Sequence, residues 1–430
     1  MARTGHTRRW GQRERGAALL VAITAIAILT AVSVDLAYNT RVSLQMAANA
    51  RDELRATYLA RSAVAMSRLV LNFQQRLDAV TNAAATPLGG GAPGASAAPK
   101  IALRLWDLVP VDSSAAALFL GGGGGAGPQA APAAAAPDGA APQQGTRRVF
   151  TDIEGSFHAT IEDEERKINV RQFDGIGALP AAQTLRLAQL VQDPRWDFLF
   201  DEDDANGLRV SRKDLFGALK DWEDEDETSS VFTADPAKPF ENGFGDENAL
   251  YDRLPDRYKA KNAPFDSLDE LFMVAGVSDA AFAAFGDKLT VYSDANARIN
   301  VNTDDPQQLI VNALIMSKPR GIPQPALADP AFLQKLRAAL ALLKPLPFMS
   351  ITASQFASVL SALGVAVDPI YTQAQNPMSA FGDSSSTFHI RAAGVAGDVH
   401  KTIDVVVTFD QRRAEGLAQD QGRLLHWHEE

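Results

Sequence analysis

The sequence predicts an α+β protein: a long N-terminal helix precedes a small α+β domain with an antiparallel sheet, and a large, mainly α-helical domain is inserted into that small domain. Three observations predict this class. The 70 residues from Ala17 to Thr86 contain neither Gly nor Pro. Strand-like alternation occurs at 150–170, 288–305 and 387–410. Helical periodicity dominates the stretch from about 180 to 285, between the first two of these regions.

The opening segment combines a basic start with an apolar run. Residues 1–16 contain five arginines, which is typical of a flank that stays in the cytoplasm. Ala17 to Val34 carries no charge and is long enough to cross a bilayer. From 35 to 86 the pattern becomes amphipathic, and nothing breaks the helix, so a helix from Ala17 to about Leu77 would be roughly 90 Å long. We therefore predict a leader at 1–16, a membrane span at 17–34 and its amphipathic continuation at 35–86. A plain single-pass anchor with a coiled-coil neck is the alternative.

The rest of the chain divides by composition. Residues 87–149 are rich in Gly, Ala and Pro and favour flexible connections around one short ordered piece at 100–120. Strand character predicts the first part of the α+β domain at 150–178, where we expect two strands around a turn. We place the inserted helical domain at 179–287. The second part of the α+β domain, with a helical region and a closing hairpin, is expected at 288–412, followed by a tail at 413–430.

Composition excludes several classes of function. The chain has no cysteine, so neither a disulfide nor a thiolate site is available, and its six histidines lead us to expect no histidine metal site. A net charge of −11 argues against nucleic acid as a partner. The segment INVNTDDPQQL (299–309) is similar to the entry of DNA-binding helix-hairpin-helix modules, but we interpret it as a strand followed by a capped helix. Catalytic signatures such as G-x-S-x-G, a P-loop or H-E-x-x-H do not occur, so we predict no enzymatic activity.

An acidic run stands out at 221–227, DWEDEDE, which offers six carboxylates within seven residues. Two interpretations are open. The run is either a solvated face at a helix end, or it supplies oxygen ligands to a cation such as calcium, which takes six to eight of them. A second acidic loop at 201–207 begins like a calcium-binding loop, but Lys213 occupies the position of the bidentate Glu, so we interpret that loop as solvated or at most auxiliary.

The Gly16–Ala17 junction, placed between a basic leader and an apolar helix, resembles the processing site of type IV pilins and of type II secretion pseudopilins. The fifth residue from Ala17 is Val21, where these families usually carry Glu, and the K-type minor pseudopilins of type II secretion are the members that lack this Glu. Five internal motifs resemble that K-type family in the same order: ALKDWEDEDE (218–227), GFGDENALYD (243–252), RYKAKNAPFDSLDEL (257–271), VAGV (274–277) and RINVNTDDPQQL (298–309).

The resemblance to the K-type minor pseudopilins implies a pilin-type stem helix and a pseudopilin α+β domain. It implies that a prepilin peptidase cuts after Gly16, that Ala17 is then N-methylated, and that calcium is bound with Asp224, Asp226 and Glu247 as ligands. The implied place is the inner membrane of a Gram-negative bacterium, with a periplasmic body at the pseudopilus tip, where the subunit initiates or caps filament assembly for export of folded proteins. The implied partners are the other minor pseudopilins and the major pseudopilin. A minor pilin of a type IV pilus-like system and a single-pass anchored periplasmic binding protein are the alternatives.

Overall fold

The long N-terminal helix is the largest element of the computed structural model, which describes residues 13–84, 102–120, 154–174, 178–201, 209–233, 235, 238–254, 256–319, 324–346, 348–372, 380–409 and 421–430. Helix α1 spans Arg13–Ala84, and we call it the stem. Its part Ala17–Asp78 is long and apolar enough to cross a membrane, with a mean hydropathy of 2.6 in its most apolar window. The predicted long helix is confirmed, and the absence of Gly and Pro over 70 residues is its local cause.

Four short elements follow: β1 (Ala102–Leu103), α2 (Leu105–Leu108), β2 (Val111–Asp112) and α3 (Ser113–Leu120). They attach this segment to the stem, because the backbone N–H of Leu105 donates to Oε1 of Gln74 at 2.7 Å. The Trp106 ring meets Phe388 edge-on at 5.0 Å. This is the segment for which an ordered piece is predicted, while the flanking Gly/Ala/Pro-rich stretches at 87–99 and 121–145 lie outside the described residues.

The remaining elements alternate between strands and helices. The first group is β3 (Ser156–Asp163), β4 (Ile168–Asn169), α4 (Ala178–Val191), α5 (Phe198–Asp201), α6 (Arg212–Glu223), β5 (Thr228–Phe232), β6 (Phe240–Asp246) and α7 (Asp279–Phe285). The second group is β7 (Leu289–Thr290), β8 (Ile299–Asn300), α8 (Pro306–Met316), α9 (Phe332–Leu343), β9 (Met349–Ser350), α10 (Ala353–Ala362), α11 (Pro369–Thr372), β10 (Phe381–Gly382), β11 (Thr387–Ala396), β12 (Val399–Thr408) and β13 (Arg423–Glu429).

A five-stranded antiparallel sheet in the order β13-β12-β11-β3-β2 packs against the C-terminal part of the stem, from Ala56 onwards. The stem contributes a stripe of buried apolar side chains at three- and four-residue spacing, and the sheet contributes alternate residues of β11 and β12. The closest approach is at Gly394, where any Cβ would overlap the carbonyl oxygen of Ala56. The strands run along the stem, because Gly397 lies beside Asp52 whereas the carbonyl of Ser385 accepts from Nε2 of Gln75 at 3.0 Å.

The sequence-based prediction of two strands around a turn at 150–170 is wrong in its pairing. β3 pairs with β11 and β2, and β4 forms a separate parallel pair with β7. A 3-10 turn, Glu164–Arg166, separates the two strands, so they never meet. The closing hairpin is confirmed, because β11 and β12 pair along their whole length from Thr387↔Thr408 to Ala396↔Val399.

The inserted region has its own core, built around α4, α6 and the aromatic side chains of residues 251–285. It is mainly helical, but it also contains the hairpin β5–β6, which the periodicity analysis does not predict. Helices α8, α9 and α10 surround another core. The predicted domain bounds stay predictions, since the three cores follow one another without a described linker that marks a boundary.

The Ile-Asn-Val-Asn segment joins these parts. Nδ2 of Asn300 donates to Asp163 at 2.8 Å, at the end of β3. Nδ2 of Asn302 donates to the carbonyl of Ile351 at 2.9 Å, beside α10. Both asparagines are buried, so their amides serve internal contacts and are not presented to a nucleic acid backbone. Asp305 then caps α8 through the backbone N–H of Gln307, as the strand-then-capped-helix interpretation predicts.

Candidate metal centre

Helix α6 ends within the acidic run, and two carboxylates of the run lie on one side of its C-terminal end. It begins at Arg212, and the N-cap residue Ser211 forms a capping box with Asp214. It ends at Glu223, and the C-cap residue Asp224 has an extended backbone and an N–H that still donates to the carbonyl of Lys220 at 3.0 Å. Because residues three apart are neighbours on a helix, Asp221 and Asp224 project to the same side at the end of α6.

The hairpin β5–β6 brings a third carboxylate to this end of the helix. β5 returns across α6 at Gly217, where any Cβ would overlap the carbonyl oxygen of Ser230. The pairing Thr228↔Asp246 then fixes the end of β6 beside the turn that follows α6. Glu247 comes next and starts a 3-10 turn, which Asp246 caps through the backbone N–H of Asn248 at 2.8 Å.

Asp221, Asp224 and Glu247 form a group in which one carboxylate oxygen from each residue lies within 4.8 Å of the other two. We call this group the acidic triad. All three side chains belong to buried residues, with relative exposures of 5%, 4% and 4%. These values exclude the solvated-face interpretation for the triad, although Glu225 and Glu227 in the same run are exposed.

The electrostatics of the triad are unfavourable without a cation. Burial, together with the neighbouring carboxylates of Asp224 and Glu247, raises the pKa of Asp221 to about 7. Burial also raises the pKa of Asp224 and of Glu247. The adjacent Glu223 has its pKa raised to about 7 by burial, with Arg171 acting in the opposite direction. Three buried carboxylates that repel one another need a positive charge nearby.

Side-chain donors of the protein contact one oxygen of Asp224 and one oxygen of Glu247. The ammonium of Lys220 contacts Oδ2 of Asp224, and Nδ2 of Asn262 donates to Oε1 of Glu247 at 2.7 Å. The other oxygens, Oδ1 of Asp224 and Oε2 of Glu247, are buried without a hydrogen-bond partner, and so is Oδ1 of Asn262. Buried oxygens are normally paired, so these atoms fit a site that coordinates a metal ion.

Asn262 is held in a conformation that favours this role. It has a φ of 48°, which is uncommon for a residue other than glycine. Its amide bridges two parts of the site, because Nδ2 also donates to the carbonyl oxygen of Asp226 at 2.9 Å. Strained backbone positions concentrate at functional sites. Asn262 therefore acts as a clamp between the turn after α6 and the turn that carries Glu247.

The predicted ligands are placed differently by the structure. Asp224 and Glu247 belong to the triad, whereas the carboxylate of Asp226 accepts from the backbone N–H of Thr228 at 2.7 Å and shapes the turn. Its role as a ligand stays a prediction. Sequence reasoning missed Asp221 as a member of the triad, and the signal that identifies it is its spacing of three residues from Asp224 at a helix end. Gly16 and Ala17 lie within α1, and processing there stays a prediction.

Aromatic side chains pack against the end of α6 that contributes to the triad. Trp222, between the first two acids, is buried and packs on Tyr251 and Phe265 with ring centroids 5.9 and 6.4 Å apart. Nε1 of Trp222 reaches Glu270 at 3.4 Å. These contacts fix the last turn of α6 and give the site a rigid base.

Known proteins that are similar to parts of this chain come from type II secretion systems. No protein-family model matches the chain. The chain is similar to the type II secretion system protein K of Klebsiella pneumoniae, with 27% identity over 173 residues, or 40% of this chain, and it spans about half (47%) of the length of that relative. A chain of the GspK–GspI–GspJ complex of the type 2 secretion system from enterotoxigenic Escherichia coli is similar at 15% identity, over 64% of this chain and 80% of that chain, with a TM-score of 0.38.

Proposed function

We propose that this chain is a minor pseudopilin of a type II secretion system, a structural subunit of filament assembly without catalysis of its own. The observation that carries the proposal is the division of α1 into two parts. From Ala56 onwards the stem packs on the antiparallel sheet, whereas the apolar residues 17–34 stand free of the body. The similarity to protein K of a type II secretion system supports the same function.

The exposed part of the stem carries large apolar side chains beyond the apolar run as well. Between the span and the sheet, the exposed side chains include Leu36, Tyr38, Leu44 and Met46. Several large apolar side chains exposed to water within eleven residues are unfavourable, and they mark an interaction site. A plain single-pass anchor gives no reason for it, whereas packing against the stem helices of other pseudopilins covers it. These exposed residues therefore favour a filament subunit over an anchored binding protein.

The position of the inserted region fits a subunit at the filament tip. The sheet extends along the stem from Asp52 to Gln75, and the inserted region joins the sheet at the end far from the span, after Asp163. Val21 occupies the place where most members of the resembling families carry Glu. A carboxylate inside lipid needs a partner from a neighbouring subunit. We propose that the missing Glu and the bulky insert together leave this subunit with no neighbour above it.

The test is the mass of the N-terminal peptide of the protein isolated from membranes of its native host. We expect a peptide that starts at Ala17 and carries one additional methyl group. Substitution Gly16→Ala should leave the leader attached, while the control Gly11→Ala should be processed normally. An N-terminus at Met1 or Ala2 would mean a plain anchor, and one beyond about residue 34 would mean a discarded signal. Either result would overturn the proposal.

We further propose that the acidic triad binds calcium. Its support is the set of buried, unpartnered oxygens of Asp224, Glu247 and Asn262, because oxygen donors without nitrogen or sulfur suit calcium. Asp221 completes the charge, and its Oδ1 is already positioned by the backbone N–H of Ser230 at 2.7 Å. The ion would hold the end of α6 against the hairpin β5–β6 and would neutralise their mutual repulsion.

Calorimetric titration of the purified chain with calcium tests this proposal. We expect Asp224→Asn to weaken calcium binding at least tenfold, because the variant loses a charged ligand. Glu225→Gln is the matched control, since Glu225 is the next residue and is exposed, and it should bind like the wild type. Equal losses in both variants would show that calcium responds to general negative charge and not to the triad.

A further inference from the structure

The last strand of the main sheet carries a pair of histidines that neither the stem nor the acidic triad uses. His426 and His428 are two residues apart in β13, so strand alternation places both on one face of the sheet. The register puts Asp404 of β12 opposite His428. This is the face away from the stem, because the neighbours of Asp404 in β12, Ile403 and Val405, belong to the core under the stem.

The two rings lie side by side, but they are too far apart to share one ion without a change of rotamer. Their planes are inclined by 22° and their centroids lie 6.5 Å apart. Two imidazoles on one tetrahedral ion at about 2.05 Å have centroids about 5 Å apart. The His428 side chain is 57% exposed, so a change of rotamer can close this difference without disturbing the core.

Carboxylates flank the histidine pair. Nε2 of His428 lies 3.5 Å from Oε1 of Glu430. Oδ1 of Asp404 is held by Nε2 of His389 at 3.3 Å and by Nε of Arg391 at 3.5 Å. Such neighbours fix the orientation of a ligating side chain and tune its strength. Oδ2 of Asp404 is the oxygen that we assign to the ion.

We propose that His426, His428 and Asp404 form a second metal site, selective for a divalent transition ion of the zinc and copper type. Imidazole donors suit these ions, whereas calcium takes oxygen donors, so the site differs in chemistry from the acidic triad. The proposal goes beyond the function in secretion and runs against the expectation of no histidine metal site. The signal in the sequence is the H-x-H spacing at 426–428. A bound ion would tie β13, an edge strand, to β12.

The experiment is a titration of the full chain in detergent with Zn²⁺, in a buffer with millimolar calcium that keeps the acidic triad occupied. We expect one Zn²⁺ per chain with an affinity that falls at least 100-fold in the double variant H426A/H428A and about tenfold in Asp404→Asn. His400→Ala is the matched control, because His400 is exposed on the same face of β12, four residues before Asp404. This control should bind like the wild type.

A second readout identifies the donors directly. Cu²⁺ bound to the wild type should show nitrogen hyperfine coupling from two imidazoles in its electron paramagnetic resonance spectrum. His428→Ala alone should reduce this coupling to one nitrogen, and circular dichroism should remain unchanged because His428 is exposed. Equal Zn²⁺ affinity in the wild type and the double variant would overturn the proposal. An equal loss of affinity in His400→Ala would also overturn it, since that result would indicate non-specific binding to surface histidines.

Discussion

Replacing Asp221 with Asn should stabilise the metal-free protein, with a gain that grows with pH. The folded state holds the pKa of Asp221 at about 7, whereas a solvated aspartate has a pKa of 3.8. Because the folded-state pKa is the higher one, the contribution of this group to stability is fully present below pH 3.8 and is lost as pH rises through about 7. Each pH unit between these values costs about 1.4 kcal/mol.

The magnitude follows from this difference. At pH 5 the wild type has lost about 1.5 kcal/mol relative to a neutral side chain, and at pH 8 it has lost about 4 kcal/mol. Asn keeps the shape of Asp, and its oxygen can still accept from the backbone N–H of Ser230. The free energy of unfolding of Asp221→Asn should therefore exceed that of the wild type by about these amounts, in the absence of metal.

The assay is urea unfolding in EDTA at pH 5 and pH 8, followed by tryptophan fluorescence. Burial and the neighbouring Asp163 raise the pKa of Glu165 to about 8, so this residue also makes stability depend on pH. Its contribution is equal in the wild type and the variant and cancels in the comparison. Calcium at 100 times its dissociation constant should reduce the difference at pH 8 to about 1 kcal/mol, because binding adds about 2.7 kcal/mol to the wild type and the variant lacks one carboxylate of the site.

A loss of stability in Asp221→Asn at pH 8 in EDTA would refute the reasoning, and so would a gain that does not depend on pH. The first result would mean that the carboxylate of Asp221 is satisfied inside the protein. The second would mean that it does not titrate in this range. Glu225→Gln is the control for the general effect of removing one negative charge, and we expect it to change stability little at either pH because Glu225 is exposed.

Three further changes test the packing and the site. Gly394→Val should weaken the docking of the stem on the sheet by about 3 kcal/mol or more, because its side chain would enter the backbone of Ala56; thermal unfolding measures this, and Gly245→Ala, which meets only a hydroxyl at 3.3 Å, is the control. Asn262→Ala should lower calcium affinity about tenfold through loss of its bond to Glu247, as measured by calorimetry. Phe388→Ala should cost about 3–5 kcal/mol in urea unfolding, because Phe388 is fully buried between sheet and stem. An unchanged unfolding midpoint in either packing variant would contradict the assigned core.

Local signals in the sequence were sufficient for elements that depend on their own residues. The stem helix, the cap at Ser211 and the closing hairpin are all encoded by periodicity, capping residues or a tight turn. The pairing of β3 could not be predicted, because its partner β11 lies more than 200 residues away in the chain. The hairpin β5–β6 was missed since its strands are short, exposed and interrupted by Gly243 and Gly245.

The candidate metal centre is also only partly predictable from local sequence. The density of acids at 221–227 identifies the region, but the choice between Asp221 and Asp226 depends on where α6 ends. Helix ends are uncertain from sequence by one or two residues, and such a shift moves a carboxylate from a buried face to an exposed turn. The carboxylates of the triad are buried because Trp222 and the hairpin β5–β6 pack around them. These are tertiary contacts, which the local sequence does not reveal.

The bare part of α1 between the apolar run and the sheet has a mechanical consequence. The 17 residues from Asp35 to Arg51 form about 26 Å of helix, so a body carried on this rod stands clear of a bilayer surface. Gln75, at the far end of the sheet, is about 60 Å along the rod from Val34. A tilt of about 10° at the bilayer would thus displace the inserted region sideways by about 10 Å. A small change in the tilt of the apolar run therefore moves the inserted region over a much larger distance, so α1 acts as a lever.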